Sequence, residues 1–418
     1  MMFLEDCKNI ICSILTTKKS FAVCFEDFQK TNIRNTKDLS IIKKIISIFF
    51  KKYFYYENLS KYILGRTTPS LVAYLGSSVI ALKILNFNQK EVYEILKNVL
   101  SKNKAFDKEI DKKINELLTK SKEGKDLVLP KENSIFSELS IIFNLPIWLI
   151  KMIIHQNDNS KAKAILNSFK GKNKRYYLRN CLDSIDDFDT SLNSNYIKLE
   201  NENYLLNSKI SNLEKDKGFI ETYNFYKTIL KEIGKFNNKY VTFYTSENNN
   251  FVFEFTNLFA YKNNVINIGV DSYFTVPGIA KDIITRHIEN IFAYEATEGQ
   301  MIAKLSDKQD LLIYAPKSSN FMRFYFENEY RVNFDPENLD SIISNEKNGL
   351  QELSQHCGKN GLLCYVVNTL NFHETHEIID DFLKNNCDYK LVNKKEIIPD
   401  FDKKEICFYA ILKRVSND

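Results

Sequence analysis

DLLIYAPKSSN (residues 310–320) and GLLCYVVNTLNFHET (residues 361–375) flank an acidic segment, FDPENLDSIISNEKNGLQEL (residues 334–353), and these three pieces decide the fold. LLIYAP and LLCYVVN are short apolar runs rich in β-branched and aromatic residues, the pattern of strands covered on both faces. Each run ends in polar, turn-forming residues, where an open α/β sheet places its ligand crevice. The segment between them predicts a helix. Asp335 is its N-cap, Pro336 takes the first helical position, and Glu337 and Asp340 fall in the first turns. Leu339, Ile342, Ile343 and Leu350 then recur at roughly helical spacing.

Upstream, KYVTFY (residues 239–244) predicts a strand and Thr245–Asn250 a turn. A helix over Phe251–Tyr261, a second strand in NVINIGVD (residues 264–271), a helix over Gly278–Asn290 and a third strand over Ile291–Glu298 follow. Phe219–Ile233 predicts a helix ahead of them. Downstream, residues 378–401 and EICFYAILKR (residues 405–414) give a last helix and a final hairpin.

From Met1 to about Thr119 the pattern is helical throughout. Cys7, Ile10, Ile11, Ile14 and Leu15 keep helical spacing, as do Ile41, Ile42, Ile45, Ile46 and Phe49. TTPSLVAYLGSSVIALKIL (residues 67–85), with Pro69 near its start, is apolar nearly all round and predicts a central helix. NQKEVYEILKNVL (residues 88–100) follows, with Asn88 as a cap. KSKEGKDLVLPKEN (residues 120–133), charged and holding Gly124 and Pro130, predicts a linker.

The chain has 418 residues, enough for two or three domains, and 44% apolar residues, enough for ordinary cores. A formal net charge of +5 permits nucleic-acid binding without arguing for it. The eight cysteines are scattered with no C-x-x-C pair, which speaks against structural zinc or a disulfide framework and for reduced thiols in a cytoplasm. MMFLEDCKNII is acidic early and lacks the apolar core of a signal peptide, and no apolar run reaches membrane-spanning length.

The order of elements resembles the carboxyl half of the RsmB/NOP-type (Sun family) RNA cytosine-5 methyltransferases. That family ends the first strand in D-A-P-C-S-G and the second in V-Y-S-T-C-T-L-N-P-E-E-N. The chain reads Tyr314-Ala315-Pro316-Lys317-Ser318-Ser319 and Cys364-Tyr365-Val366-Val367-Asn368-Thr369-Leu370-Asn371-Phe372-His373-Glu374, in frame without gaps. NLPIWL (residues 144–149) is similar to the S-L-P-x-W-L signature ahead of the family's core, with Pro146 starting a helix and Trp148 anchoring it. The first 119 residues resemble the family's NusB-like domain, an all-α bundle without an RNA role being the alternative. The implied fold is α+β multidomain. A NusB-like all-α domain (1–119) and linker (120–133) precede a helical connector with a small RNA-facing subdomain (134–217). A Rossmann-like methyltransferase domain (218–418) follows.

The resemblance also implies which residues would act. Methylation of cytosine at C5 requires a nucleophile at C6, and a thiolate is the best side-chain nucleophile at neutral pH. The family's two cysteines fall on Lys317 and Asn368, and its base-holding aspartate falls on Tyr314. The glycine-rich turn that admits S-adenosylmethionine is replaced by Glu247-Asn248-Asn249-Asn250. Asn248 and Asn249 are thus the cofactor-turn candidates, with Asp271 placed for a ribose hydroxyl. Lys172, Lys174, Arg175 and Arg179, interleaved with Tyr176 and Tyr177, form a basic and aromatic cluster that fits single-stranded RNA or a charged strand edge. Lys317 joins the RNA candidates at the crevice mouth.

Cys364, four residues before Asn368, reads as a core thiol. His373-Glu374-Thr375-His376 lacks the H-E-x-x-H spacing of a zinc helix and reads as a solvated helix start, so no metal is expected. Two functional readings follow: an RNA methyltransferase with an altered site, or a catalytically silent relative that binds RNA or protein. The expected partner is RNA, ribosomal by resemblance, bound by a monomer away from membranes.

Overall fold

The computed structural model describes residues 2–102, 106–131, 134–171, 176–179, 196–198, 204–206, 219–222, 224–234, 240–245, 265–270, 291–295, 308–401 and 404–415. The chain forms two compact units, Met1–Asn157 with Arg323–Pro336, and Asp158–Met322 with Glu337–Asp418.

The first unit is all helical. The Pro69–Leu85 helix is its axis, buried continuously from Leu71 to Leu82. Thr68 caps that helix and Pro69 opens it, as the sequence predicts. Gly76 admits the Phe49 ring, itself stacked on Tyr56 at 5.4 Å, and a Cβ there would overlap Phe49. The 120–133 segment does not stand clear of this unit. Leu127 is buried in the core, Tyr55 Oη donates to its carbonyl, and Asp126 pairs with Lys52 (2.7 Å) and Lys83 (3.0 Å). Asp126 is thus paired on the bundle surface, and the unit runs on to Asn157.

Asn144 ends the Ile135–Phe143 helix in the left-handed conformation (φ 52°), which asparagine tolerates. Its side chain accepts from Phe54 N (3.2 Å) and donates to the Phe50 carbonyl (2.8 Å). Pro146 then caps the Ile147–Gln156 helix. Trp148, half-buried, meets Phe324 at 6.0 Å and Phe334 at 5.3 Å, so it acts as a packing residue. Both rings belong to Arg323–Pro336, which leaves the α/β sequence to join the bundle. Arg331 fixes this excursion by donating to the carbonyls of Phe324 (2.7 Å) and Asn144 (3.2 Å). The helix expected from Asp335 accordingly begins later. Pro336–Asn338 is a single 3₁₀ turn and the α-helix runs Leu339–Ser354.

The second unit holds two sheets. β1 (Tyr176–Arg179), β2 (Tyr196–Lys198), β3 (Tyr204–Leu206) and β4 (Phe219–Thr222) form an antiparallel sheet of order β2-β3-β1-β4. Phe219–Ile233 is therefore not one helix: its first residues pair with β1, and the helix is Asn224–Ile233.

The larger sheet contains β5 (Tyr240–Thr245), β6 (Val265–Val270), β7 (Ile291–Glu295), β8 (Gln309–Ala315), β9 (Cys357–Val367), β10 (Tyr389–Ile397) and β11 (Cys407–Arg414). Its order is β10-β11-β9-β8-β5-β6-β7, with β5 to β9 parallel and the β10–β11 hairpin antiparallel. The order reverses between β5 and β8, the switch point where such a sheet opens a crevice at its carboxyl edge. One face is covered by the Leu339–Ser354 and His376–Asn385 helices, whose buried Leu350, Leu353, Ile378 and Ile379 join its core. Lys404 braces the unit with a buried ammonium that donates to the carbonyls of Ser168, Asp400 and Phe401. No single helix among the described residues is long and apolar enough to cross a membrane.

Candidate functional site

The crevice edge is built from the turns after β8 and β9. Lys317 is exposed there and Asn368 is half-buried, so two of the three family positions reach the mouth. Tyr314 does not. It is fully buried, and it continues a row across three neighbouring strands. Tyr244, Tyr314 and Tyr365 stand in direct register, with ring centroids 5.9 and 6.0 Å apart. The Tyr314 hydroxyl donates to the Asn345 carbonyl (3.4 Å) on the covering helix. A residue that a base-holding role would turn into the crevice is thus spent on the opposite, helix-covered core.

Sequence reasoning did not foresee what joins the two turns. Glu374, fully buried, accepts from Ser319 N (2.6 Å), Ser319 Oγ (2.6 Å), Asn371 Nδ2 (2.9 Å) and Thr369 Oγ1 (3.3 Å). Ser319 Oγ and Thr369 Oγ1 also lie 2.7 Å apart. One carboxylate therefore ties the β8 turn to the β9 turn. Burial pushes the Glu374 carboxyl above its usual range, while the hydrogen bonds from Ser319, Asn371 and Thr369 pull it down. Tyr365 Oη donates to the Glu374 carbonyl (2.8 Å), which fixes the same residue from the sheet. The signal was in the sequence frame: Thr369, Leu370, Asn371 and Glu374 match the residue types of the motif that the chain resembles.

Beneath this clamp the Leu339–Ser354 helix carries Glu346, 0% exposed, with no hydrogen-bond partner for either carboxylate oxygen. Burial, and secondly the charge of Glu374, push its carboxyl well above the ordinary range, with the nearby Tyr365 hydroxyl pulling weakly the other way. Glu346 interrupts an otherwise apolar stripe between Ile342 and Leu350.

No described thiol reaches the crevice mouth. Cys364 lies inside β9, fully buried, with burial pushing its thiol far up and Glu232 adding to the rise. Cys357 is pushed up to about 11 by burial. His373 and Glu377 form an exposed pair at 2.5 Å, and among the described residues no cluster of His, Cys, Asp and Glu could hold a metal ion.

Asn248, Asn249 and Asp271 lie outside the described residues, as do Lys172, Lys174 and Arg175. The strands that deliver the first set end side by side, Thr245 opposite Val270. Arg179 closes β1 opposite Phe219. β1 pairs with β3 on one side and β4 on the other, so it is an inner strand and needs no charge to guard a free edge.

Sheet order and crevice position define the class as a Rossmann-like methyltransferase fold that follows a helical unit in the chain. The chain is similar to the PH0851 structure, at a TM-score of 0.73 and 14% identity over 98% of this chain and 99% of that one. It is also similar to a methyltransferase homolog protein from Pyrococcus horikoshii (TM-score 0.54, 11% identity, 68% and 100% covered). NSun6 from Pyrococcus horikoshii, solved with SFG, is comparable (TM-score 0.54, 10% identity, 65% and 99% covered). At these identities the likeness is one of fold. No family model and no curated protein matches the sequence.

Proposed function

We propose that this protein is a catalytically silent relative of the RsmB/NOP-type RNA methyltransferases, which binds RNA and transfers no methyl group to cytosine. The observation that carries the reading is the crevice mouth itself. Lys317 and Asn368 stand at the two cysteine positions, and Tyr314 is committed to the core. Asn368 has no nucleophilic electron pair to offer C6 of a pyrimidine. Lys317 is exposed at the crevice mouth and carries no thiol to replace the missing nucleophile. Cys364 is enclosed by the sheet and held as a thiol. Loss of a covalent nucleophile costs several orders of magnitude in rate.

The methyl donor of the resembling family is S-adenosylmethionine. In this chain the sequence Glu247-Asn248-Asn249-Asn250 stands where the resemblance calls for the glycines of such a cradle. Weak or absent donor binding follows, with Asp271 retaining at most a ribose contact.

The Glu374 clamp fits a retained binding surface. It ties together the two turns that frame the crevice, with Lys317 at the rim and no thiol there among the described residues. On this reading the basic cluster Lys172, Lys174, Arg175 and Arg179 would supply phosphate contacts, and the inner position of β1 supports that role for Arg179 over edge protection. The test replaces all four cluster residues with glutamine and measures binding to structured ribosomal RNA fragments across salt concentrations. Weaker binding with a shallower salt slope is expected. Unchanged affinity and slope would refute RNA contact there and favour a protein-binding scaffold.

A further inference from the structure

The opposite edge of the larger sheet carries a second concavity, unrelated to the crevice. It lies where β8 and β9 begin and β11 ends. The cavity measures about 790 Å³ and is lined in part by Lys308, Lys359, Asn385, Asp388 and Arg414. That volume suits a ligand of nucleotide size. Three cations face a single carboxylate, so the lining carries two uncompensated positive charges.

The cationic groups are arranged, not merely present. Arg414 is immobilised: Nε pairs with Asp388 at 3.0 Å, and Nη1 donates to the carbonyls of Cys357 (2.8 Å) and Gln355 (3.3 Å). Its Nη2 makes no hydrogen bond among the described residues, which leaves one nitrogen of a fixed guanidinium free to donate to an anion. Lys308 donates to the Gln355 carbonyl. Neither Lys308 nor Lys359 has a carboxylate partner among the described residues.

Lys359 owes its position to a bulge. Gln309 pairs with Cys357 and Leu311 with Leu362, so β9 advances five residues while β8 advances two. The looped-out residues include Asn360 at φ 64° and Gly361, where an added Cβ would sit 2.8 Å from the Gln309 carbonyl oxygen. The sequence thus accommodates a tight irregular turn whose product is an exposed lysine at a cavity rim. Bulges re-aim side chains in this way.

We propose that this pocket binds the phosphate group of a small phosphate monoester. The group's charge of roughly −1.5 to −2 at neutral pH matches the lining's uncompensated charge. The free Nη2 of the fixed guanidinium would donate to one phosphate oxygen, while the two lysines and the Asn385 amide supply further donors.

The experiment is calorimetric titration of the full chain, at about 50 mM salt so that screening stays modest, with inorganic phosphate, adenosine 5′-monophosphate and adenosine. Saturable one-site binding of the monophosphate is expected, with adenosine inert. Binding of inorganic phosphate as well assigns recognition to the phosphate alone; its failure assigns part of the recognition to the nucleoside. The Lys308→Gln, Lys359→Gln double variant should weaken binding about tenfold or more. Both lysines are exposed, so the circular dichroism spectrum should not change. Lys359→Arg should restore most of the affinity in the single-site background. No binding of either phosphate probe, equal binding of adenosine, or a double variant that titrates like the parent would each overturn the proposal.

Discussion

Glu346→Gln isolates the energetics of a buried acid. Glu346 is 0% exposed and neither carboxylate oxygen is hydrogen-bonded. Its folded-state affinity for a proton is raised, first by burial and then by the charge of Glu374. In the unfolded chain the group ionises near its ordinary value of 4.5. Between these two values the folded chain holds one more proton than the unfolded chain. This contribution to stability is therefore complete below the ordinary value and is lost as pH rises towards the folded value. The slope is about 1.4 kcal/mol per pH unit. Glutamine keeps the shape and removes the titration. Relative to the parent, the variant should gain stability as pH rises above the ordinary value, by at most about 1.4 kcal/mol per pH unit. Urea unfolding at pH 5, 6 and 7, followed by circular dichroism, reads this directly, and other titrating groups cancel in the difference. A stability difference independent of pH, or one that shrinks as pH rises, would refute the assignment of Glu346 as a neutral buried acid.

Other outcomes follow from the same structure. Glu374→Ala leaves the donors on Ser319, Thr369 and Asn371 buried without their acceptor and should cost about 3–5 kcal/mol; a loss below about 1 kcal/mol in urea unfolding would mean the clamp is not formed. Gly171→Ala should destabilise by about 1–3 kcal/mol in thermal unfolding, because a Cβ would overlap the Phe401 carbonyl oxygen and the Lys404 ammonium. Purified protein given labelled S-adenosylmethionine and unmodified ribosomal RNA should yield no 5-methylcytosine, and product that disappeared in Cys364→Ser would place that thiol at the crevice. Calorimetry with the donor alone should show weak binding or none.

Most of the α/β framework was legible because it is written in local pattern. The runs at Val241, Ile268, Ile313 and Tyr365 lie on neighbouring strands as their apolar, β-branched composition implies. Caps and prolines placed the Pro69 and Ile147 helices for the same reason. Misreadings arose where partner choice overrode local signal. Phe219–Thr222 looks helical beside Asn224–Ile233 until β1 claims its backbone. Residues 120–133 look like a linker until the bundle claims Leu127 and Asp126. Arg323–Pro336 reads as part of the α/β sequence, yet its aromatics and Arg331 belong with the helices.

The sequence by itself determined the strand and helix types, the in-frame placement of Lys317 and Asn368, and the absence of cysteine at both positions. Periodicity and residue identity are local properties and survive without coordinates. Tertiary structure alone decided that Tyr314 turns into the core, that Glu374 reaches Ser319 fifty-five residues away and joins two turns, and that Glu346 is buried with no hydrogen bond to either carboxylate oxygen. It alone brought Lys308, Lys359 and Arg414 to one cavity. Whether a polar side chain is solvated, clamped or stranded depends on what long-range packing lays over it, and no local pattern encodes that cover.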